Sequence, residues 1–97
     1  MIGEEFFGKK VLVRSPKAGV YFGSLVKVET DTCKLTNARN IWHWTGANCL
    51  ADIANKGVTG DRISCNITEI VIKDVCQIMP LSEKAIENLE KQPVWTR

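Results

Sequence analysis

This chain is poor in histidine and proline and has no long apolar run, and each shortage narrows what it can be. One histidine in 97 residues leaves His43 as the single imidazole for acid–base work. No apolar stretch approaches the roughly 20 residues that cross a bilayer. The first residues, MIGEEFF, lack the basic start and longer apolar run of a secretion signal. The expected location is therefore the cytoplasm of the cell that makes or hosts the protein. A formal net charge of +2 with a pI near 8.4 falls short of the strongly basic balance of duplex nucleic-acid binders, although it permits a local anion-binding patch. None of the four cysteines (Cys33, Cys49, Cys65 and Cys76) forms a C-x-x-C pair, so neither a metal site nor another cofactor is expected. They read as reduced, mostly buried thiols.

Enzyme signatures are also missing. The sequence has no Gly-rich phosphate loop, no G-x-S-x-G, no H-E-x-x-H and no paired metal-binding carboxylates. A Cys–His nucleophile would have to join His43 to a cysteine such as Cys49, and no local signature marks that pairing. Binding rather than catalysis is the expectation.

Hydrophobic residues at 44% and charged residues at 25% are ordinary for a globular protein, and 97 residues make one domain, residues 1–97. Residues 9–14 (KKVLVR) alternate as a strand does. A turn follows at residues 15–19, where Pro16 fixes one φ and Gly19 is free to take a positive one. Residues 20–29 (VYFGSLVKVE) read as a longer strand whose interior Gly23 signals a bulge or sharp bend. Residues 33–44 read as strand, irregular step and strand.

A short helix is predicted over residues 47–56 (ANCLADIANK), with Gly57 just past its end and a loop over 58–62. Residues 63–75 are β-rich, strongest around Ile67, Ile70, Val71 and Ile72. Asp74 should bend the chain into a last strand over 75–79, stopped by Pro80. Ser82 is a good N-cap for the terminal helix SEKAIENLEK. Beyond Pro93, Trp95 should dock back on the body. The order implies an α+β fold: a curved antiparallel sheet or small partly closed β-barrel of about five or six strands, with a short mid-chain helix and a C-terminal helix.

The segment 35–50 (LTNARNIWHWTGANCL) concentrates two tryptophans, the histidine, an arginine and three asparagines. On a regular strand, Asn40, Trp42 and Trp44 would share one face, and Arg39, Ile41 and His43 the other. Both faces would then mix apolar and polar character. That mixture suits a site where indoles stack a flat ring, Arg39 grips a phosphate, and Asn37, Asn40 and Asn48 read polar edges. The same pattern also suits indoles that fill the core under a helix, with Arg39 in a structural ion pair and His43 at the surface. A second candidate is the turn carrying Arg14 and Lys17, where cationic side chains and a free Gly amide could cradle an anion; its plainer reading is a solvated hairpin tip.

The stretches VLVRSPKAGVYFGSLVKVE, LTNARNIWHWTGANCLADIANKGV and the closing PVWTR resemble a family of short bacteriophage and prophage proteins, a domain of unknown function. The motif L-T-N-A-R-x-I-W-x-W followed by G-A is its most distinctive part, and the likeness covers about residues 11–95. The resemblance carries no catalytic residues. It implies a phage origin and a small accessory role in the host cell. One such role is an anti-defence sponge that sequesters a nucleotide-derived immune signal, such as a cyclic oligonucleotide or an ADP-ribose derivative. The expected partner is then a small anionic nucleotide-like ligand, with the site at a subunit interface of a homo-oligomer and no membrane involved. The alternatives are a single-stranded nucleic-acid-binding small barrel and a structural or host-protein-binding module.

Overall fold

Apolar and β-branched residues without helical spacing drive the first two thirds of the chain into strands. The computed structural model describes residues 4–96. After a 3-10 turn at Glu4–Phe6, the order is β1 (Lys10–Ser15), β2 (Gly19–Glu29), β3 (Thr32–Thr45), α1 (Leu50–Lys56), β4 (Gly60–Ile63), β5 (Ile67–Ile72), β6 (Gln77–Pro80) and α2 (Glu83–Glu90). The six strands form one antiparallel sheet in the order β4-β3-β2-β1-β6, with β5 also paired to β3. The fold is α+β and the sheet is not closed.

Strand β3 is long enough to carry two partners on one edge. Its first half pairs with β5, Cys33 opposite Ile72, and its second half with β4, Ile41 opposite Ile63. Residues 58–62, expected as a loop because Gly-Asp-Arg has neither apolar period nor β-propensity, include strand β4. The strand forms there because the free ladder of β3 beyond the end of β5 supplies hydrogen-bond partners.

Curvature comes from irregular residues. The β2–β3 register slips between Phe22 and Ser24 and again between Leu25 and Lys27. At the first slip Gly23 lies against β3 so closely that a Cβ there would sit 2.9 Å from Ala38 Cα. Asn37 takes a φ of 49°, which resets the alternation of β3. Cys33, Leu35 and Ala38 then face one apolar cluster and Ile41 the other.

The sheet is therefore buried on both faces. On one side Leu12, Phe22, Ile41 and Ile63 pack under Ile53 of α1 and Ala85 and Leu89 of α2. On the concave side Val11, Val13, Leu25, Leu35 and Ile72 meet as the sheet curls over itself. Val11, Leu12 and Val13 are each 0% exposed, because β1 is flanked by β2 and β6 and serves both clusters. Ser15 Oγ donates to Lys73 O at 2.7 Å and Val75 N to Asp31 O at 2.8 Å, tying the curled ends together. Asp74 makes the bend between β5 and β6 with a φ of 57°.

The helices are fixed by polar seams. Ser82 caps α2 by accepting from Ala85 N at 3.0 Å, and its hydroxyl donates to Asn55 O at 2.7 Å. Asn88 Oδ1 accepts from Val58 N at 2.9 Å while its Nδ2 donates to Val58 O at 3.0 Å. Gly57 lies under that side chain at a φ of 83°, leaving no room for a Cβ. Beyond α2 the tail folds back, with Trp95 N donating to Ile63 O at 3.0 Å. All four cysteines are free thiols, but only Cys33 is buried; Cys49, Cys65 and Cys76 are exposed. The thiols, expected to be mostly buried, are thus mostly at the surface. Cys33 is 2% exposed, and desolvation pushes its thiol pKa from 9.0 to about 11.

Candidate functional site

The residues singled out from sequence do not converge on one place. Arg39 is committed to the fold. Its Nε donates to Ser64 O at 2.8 Å, and its Nη1 donates to Gln92 O at 2.8 Å and Leu89 O at 3.5 Å. The guanidinium thus gathers carbonyls at the C-terminal end of α2, where a cation is favoured. Its Nη2 is buried without a hydrogen-bond partner among the described residues, as is Asp61 Oδ2. Burial raises the Asp61 carboxyl above its ordinary range, and the charge of Arg39 partly offsets this.

Of the three asparagines, Asn40 has its side chain bound within the fold. Asn40 donates from Nδ2 to Val20 O and from its backbone N–H to Ser64 Oγ, both at 2.9 Å. The Asn48 backbone N–H donates to Asp52 Oδ2 at 3.1 Å. Asn37 lines a shallow hollow of about 480 Å³ with Arg39, Lys10 and Glu90, where a 3.3 Å ion pair joins the last two. Lys17 pairs with Asp74 at 3.5 Å on the solvated hairpin.

The two indoles part company at a bulge. The β3–β4 register slips between Ile41 and His43, so Trp42 is the extra residue and simple alternation fails there. Trp44 packs on the same helix-side cluster as Ile41, instead of sharing a face with Trp42. Trp42 is turned outward, 47% exposed, with its ring edge-to-face with Trp95 at 5.8 Å. His43 is exposed and sits opposite Arg62.

Trp44 and Arg14 come together. A groove of about 530 Å³ runs between the β1–β6 side of the sheet and the start of α1, lined by Trp44, Arg14, Gln77, Met79, Leu50 and Cys49, with Val20 and Ala51. Its floor is one ladder row: Gln77 lies opposite Arg14, and Arg14 opposite Val20, so these three side chains share the helix-side face. Arg14 is exposed; the hydrogen-bond partner of its Nη1 among the described residues is Cys76 Sγ at 3.5 Å, a soft and weak acceptor. Its remaining donors can turn to a ligand. Gln77 and Met79 were not singled out from sequence. The last strand was legible, but nothing local says that it lies beside β1.

No group of three or more metal-ligating side chains occurs among the described residues, and no helix of the described chain is long and apolar enough to cross a membrane. A further apolar hollow of about 380 Å³, bordered by Phe6, Val28 and Ile78, opens elsewhere and carries no indole or guanidinium. The Trp44 groove joins an aromatic face, an exposed cation and a primary amide.

A family model described as a domain of unknown function matches residues 8–89, from just before β1 to near the end of α2. No curated protein and no solved structure matches the chain.

Proposed function

The chain belongs to the DUF6948 family, and from the chemistry of the Trp44 groove we propose that it is a non-enzymatic protein that captures a small nucleotide-derived anion. The observation that carries this reading is the pairing of Trp44 with Arg14 on one groove of about 530 Å³, a size within the usual range of small-molecule sites. The indole offers a π-face to a base. The guanidinium offers a planar fork to a phosphate. Gln77, beside Arg14 on the next strand, offers both a donor and an acceptor to a base edge or sugar hydroxyl. Thioether, indole, amide and guanidinium hold and orient a ligand.

The ligand class is a cyclic oligonucleotide or an ADP-ribose derivative, and the role is sequestration by a phage accessory protein in the host cytoplasm. The groove is open along one side, and a second copy closing it would make the protein a homo-oligomer whose affinity rises on assembly. The test is thermal melting against a panel of cyclic dinucleotides and ADP-ribose. A ligand at a hundredfold excess over its Kd adds about 2.7 kcal/mol, which for a domain of this size raises Tm by roughly 10–20 °C. Arg14→Ala should abolish that rise while melting as the unliganded parent does. No rise with any member of the panel at millimolar ligand contradicts the reading.

A further inference from the structure

The outer surface of β3 and β4 carries a second aromatic arrangement, on the other side of the sheet from the Trp44 groove. His43 and Arg62 are cross-strand partners, as are Trp44 and Asp61. Alternation therefore puts His43 and Arg62 on the face away from the helices. The bulge delivers Trp42 beside them and leaves it 47% exposed. The tail brings Trp95 across the edge of β4, held by its backbone bond to Ile63 O. The Trp95 ring then lies edge-to-face with Trp42, 5.8 Å between centroids at 89°, and the Arg62 guanidinium sits 4.7 Å above its centroid.

Three groups from three segments thus pack in series, and Trp42 at one end is the more exposed indole. An exposed indole held by a second ring is pre-oriented, so it loses little freedom on meeting a flat partner. A guanidinium lying over a ring keeps its in-plane N–H donors directed outward, where a phosphate oxygen can accept them. Among the described residues of β3 and β4, Arg62 and His43 are the charged or basic side chains on this face. The carboxylate of Asp61, opposite Trp44, belongs to the other face of the sheet.

We propose that this face binds single-stranded nucleic acid, with an unpaired base stacked on Trp42 and its phosphate at Arg62. Duplex bases present no free ring face to such a platform. The open surface encloses nothing, so one mononucleotide gains little from it, whereas a strand adds contacts along its length. A second copy of the chain fits less well. Half of one indole exposes roughly 100 Å², far below the roughly 800 Å² per partner of a stable interface.

The experiment is fluorescence anisotropy with a labelled oligo-dT of about ten nucleotides, a length within the range of known single-strand sites, and the same sequence in duplex form. The full chain should bind the single strand in preference to the duplex. With one phosphate engaged at Arg62, affinity should fall about 2.6-fold between 50 mM and 200 mM salt. Trp42→Ala should lose roughly 5- to 150-fold in affinity, the range for one stacked base, and Arg62→Gln should flatten the salt dependence while retaining part of the binding. Unchanged binding by both variants overturns the proposal. So does an absence of single-strand binding at low salt, or light scattering that finds a dimer disrupted by Trp42→Ala with no effect of the oligonucleotide.

Discussion

Arg39 Nη1 donates to the carbonyl of Gln92 at 2.8 Å, clamping the end of α2 to the middle of β3. The same guanidinium holds Ser64 O, so one side chain joins the sheet, the β4–β5 connection and the tail. Removing it leaves these carbonyls half-buried without their charged donor. Arg39→Ala should therefore cost about 2–3 kcal/mol and lower Tm by roughly 10–20 °C. Thermal denaturation followed by circular dichroism measures this directly. Loss of ligand affinity without loss of stability would contradict the structural role.

Asp61 gives a pH signature. Its carboxyl is raised above 3.8, first by burial, with Arg39 opposing. In the interval between 3.8 and that raised value the folded state binds more protons than the unfolded one, so stability falls as pH rises through it. Above the interval the penalty is fully present. Asp61→Asn, which mimics the neutral form, should be more stable than the parent at pH 7, and the difference should vanish at acid pH. Denaturant melts across that range test the sign.

Cys33 makes a second titration. With its thiol at about 11 against 9.0, the unfolded thiol ionises first, so folded stability should decline between those values. At pH 8 iodoacetamide should modify Cys49, Cys65 and Cys76, which are exposed, and spare Cys33 until the chain is denatured. Intact-mass spectrometry counts the adducts, and rapid modification of a fourth thiol in the folded state would contradict this packing.

Gly23 marks where β2 meets β3 most closely. A methyl at that position would sit 2.9 Å from backbone Cα of Ala38, and backbone cannot move as a side-chain tip can. Gly23→Ala should destabilise by about 1–3 kcal/mol, visible as a shifted urea midpoint with an unchanged slope.

Local signals carried much of the fold. Ser82 announced the start of α2, Gly23 the bulge, Asp74 the bend into β6, and the lone Trp beyond Pro93 the returning tail. Each is a matter of one residue and its neighbours. Strand β4 was hidden because Gly-Asp-Arg-Ile has no period of its own and forms only on the spare ladder of β3. The bulge at Trp42 was equally invisible, and one extra residue there separated two indoles that strict alternation would pair. The site suffered most from long-range pairing. Arg39 has the right chemistry for a phosphate, yet α2 and the tail, encoded far downstream, take its donors. Arg14 holds the corresponding place in the groove because β6 returns beside β1 and brings Gln77 with it. That return leaves no trace in the local pattern of either strand.

The three tryptophans provide their own reporters, since each indole N–H gives a separate proton–nitrogen NMR signal. In a titration with ADP-ribose or a cyclic dinucleotide, the account predicts that the Trp44 signal moves to saturation while those of Trp42 and Trp95 stay near their starting positions. A bound ligand that leaves Trp44 unmoved, or a Trp44 signal indifferent to every nucleotide tried, would contradict the assignment of the groove.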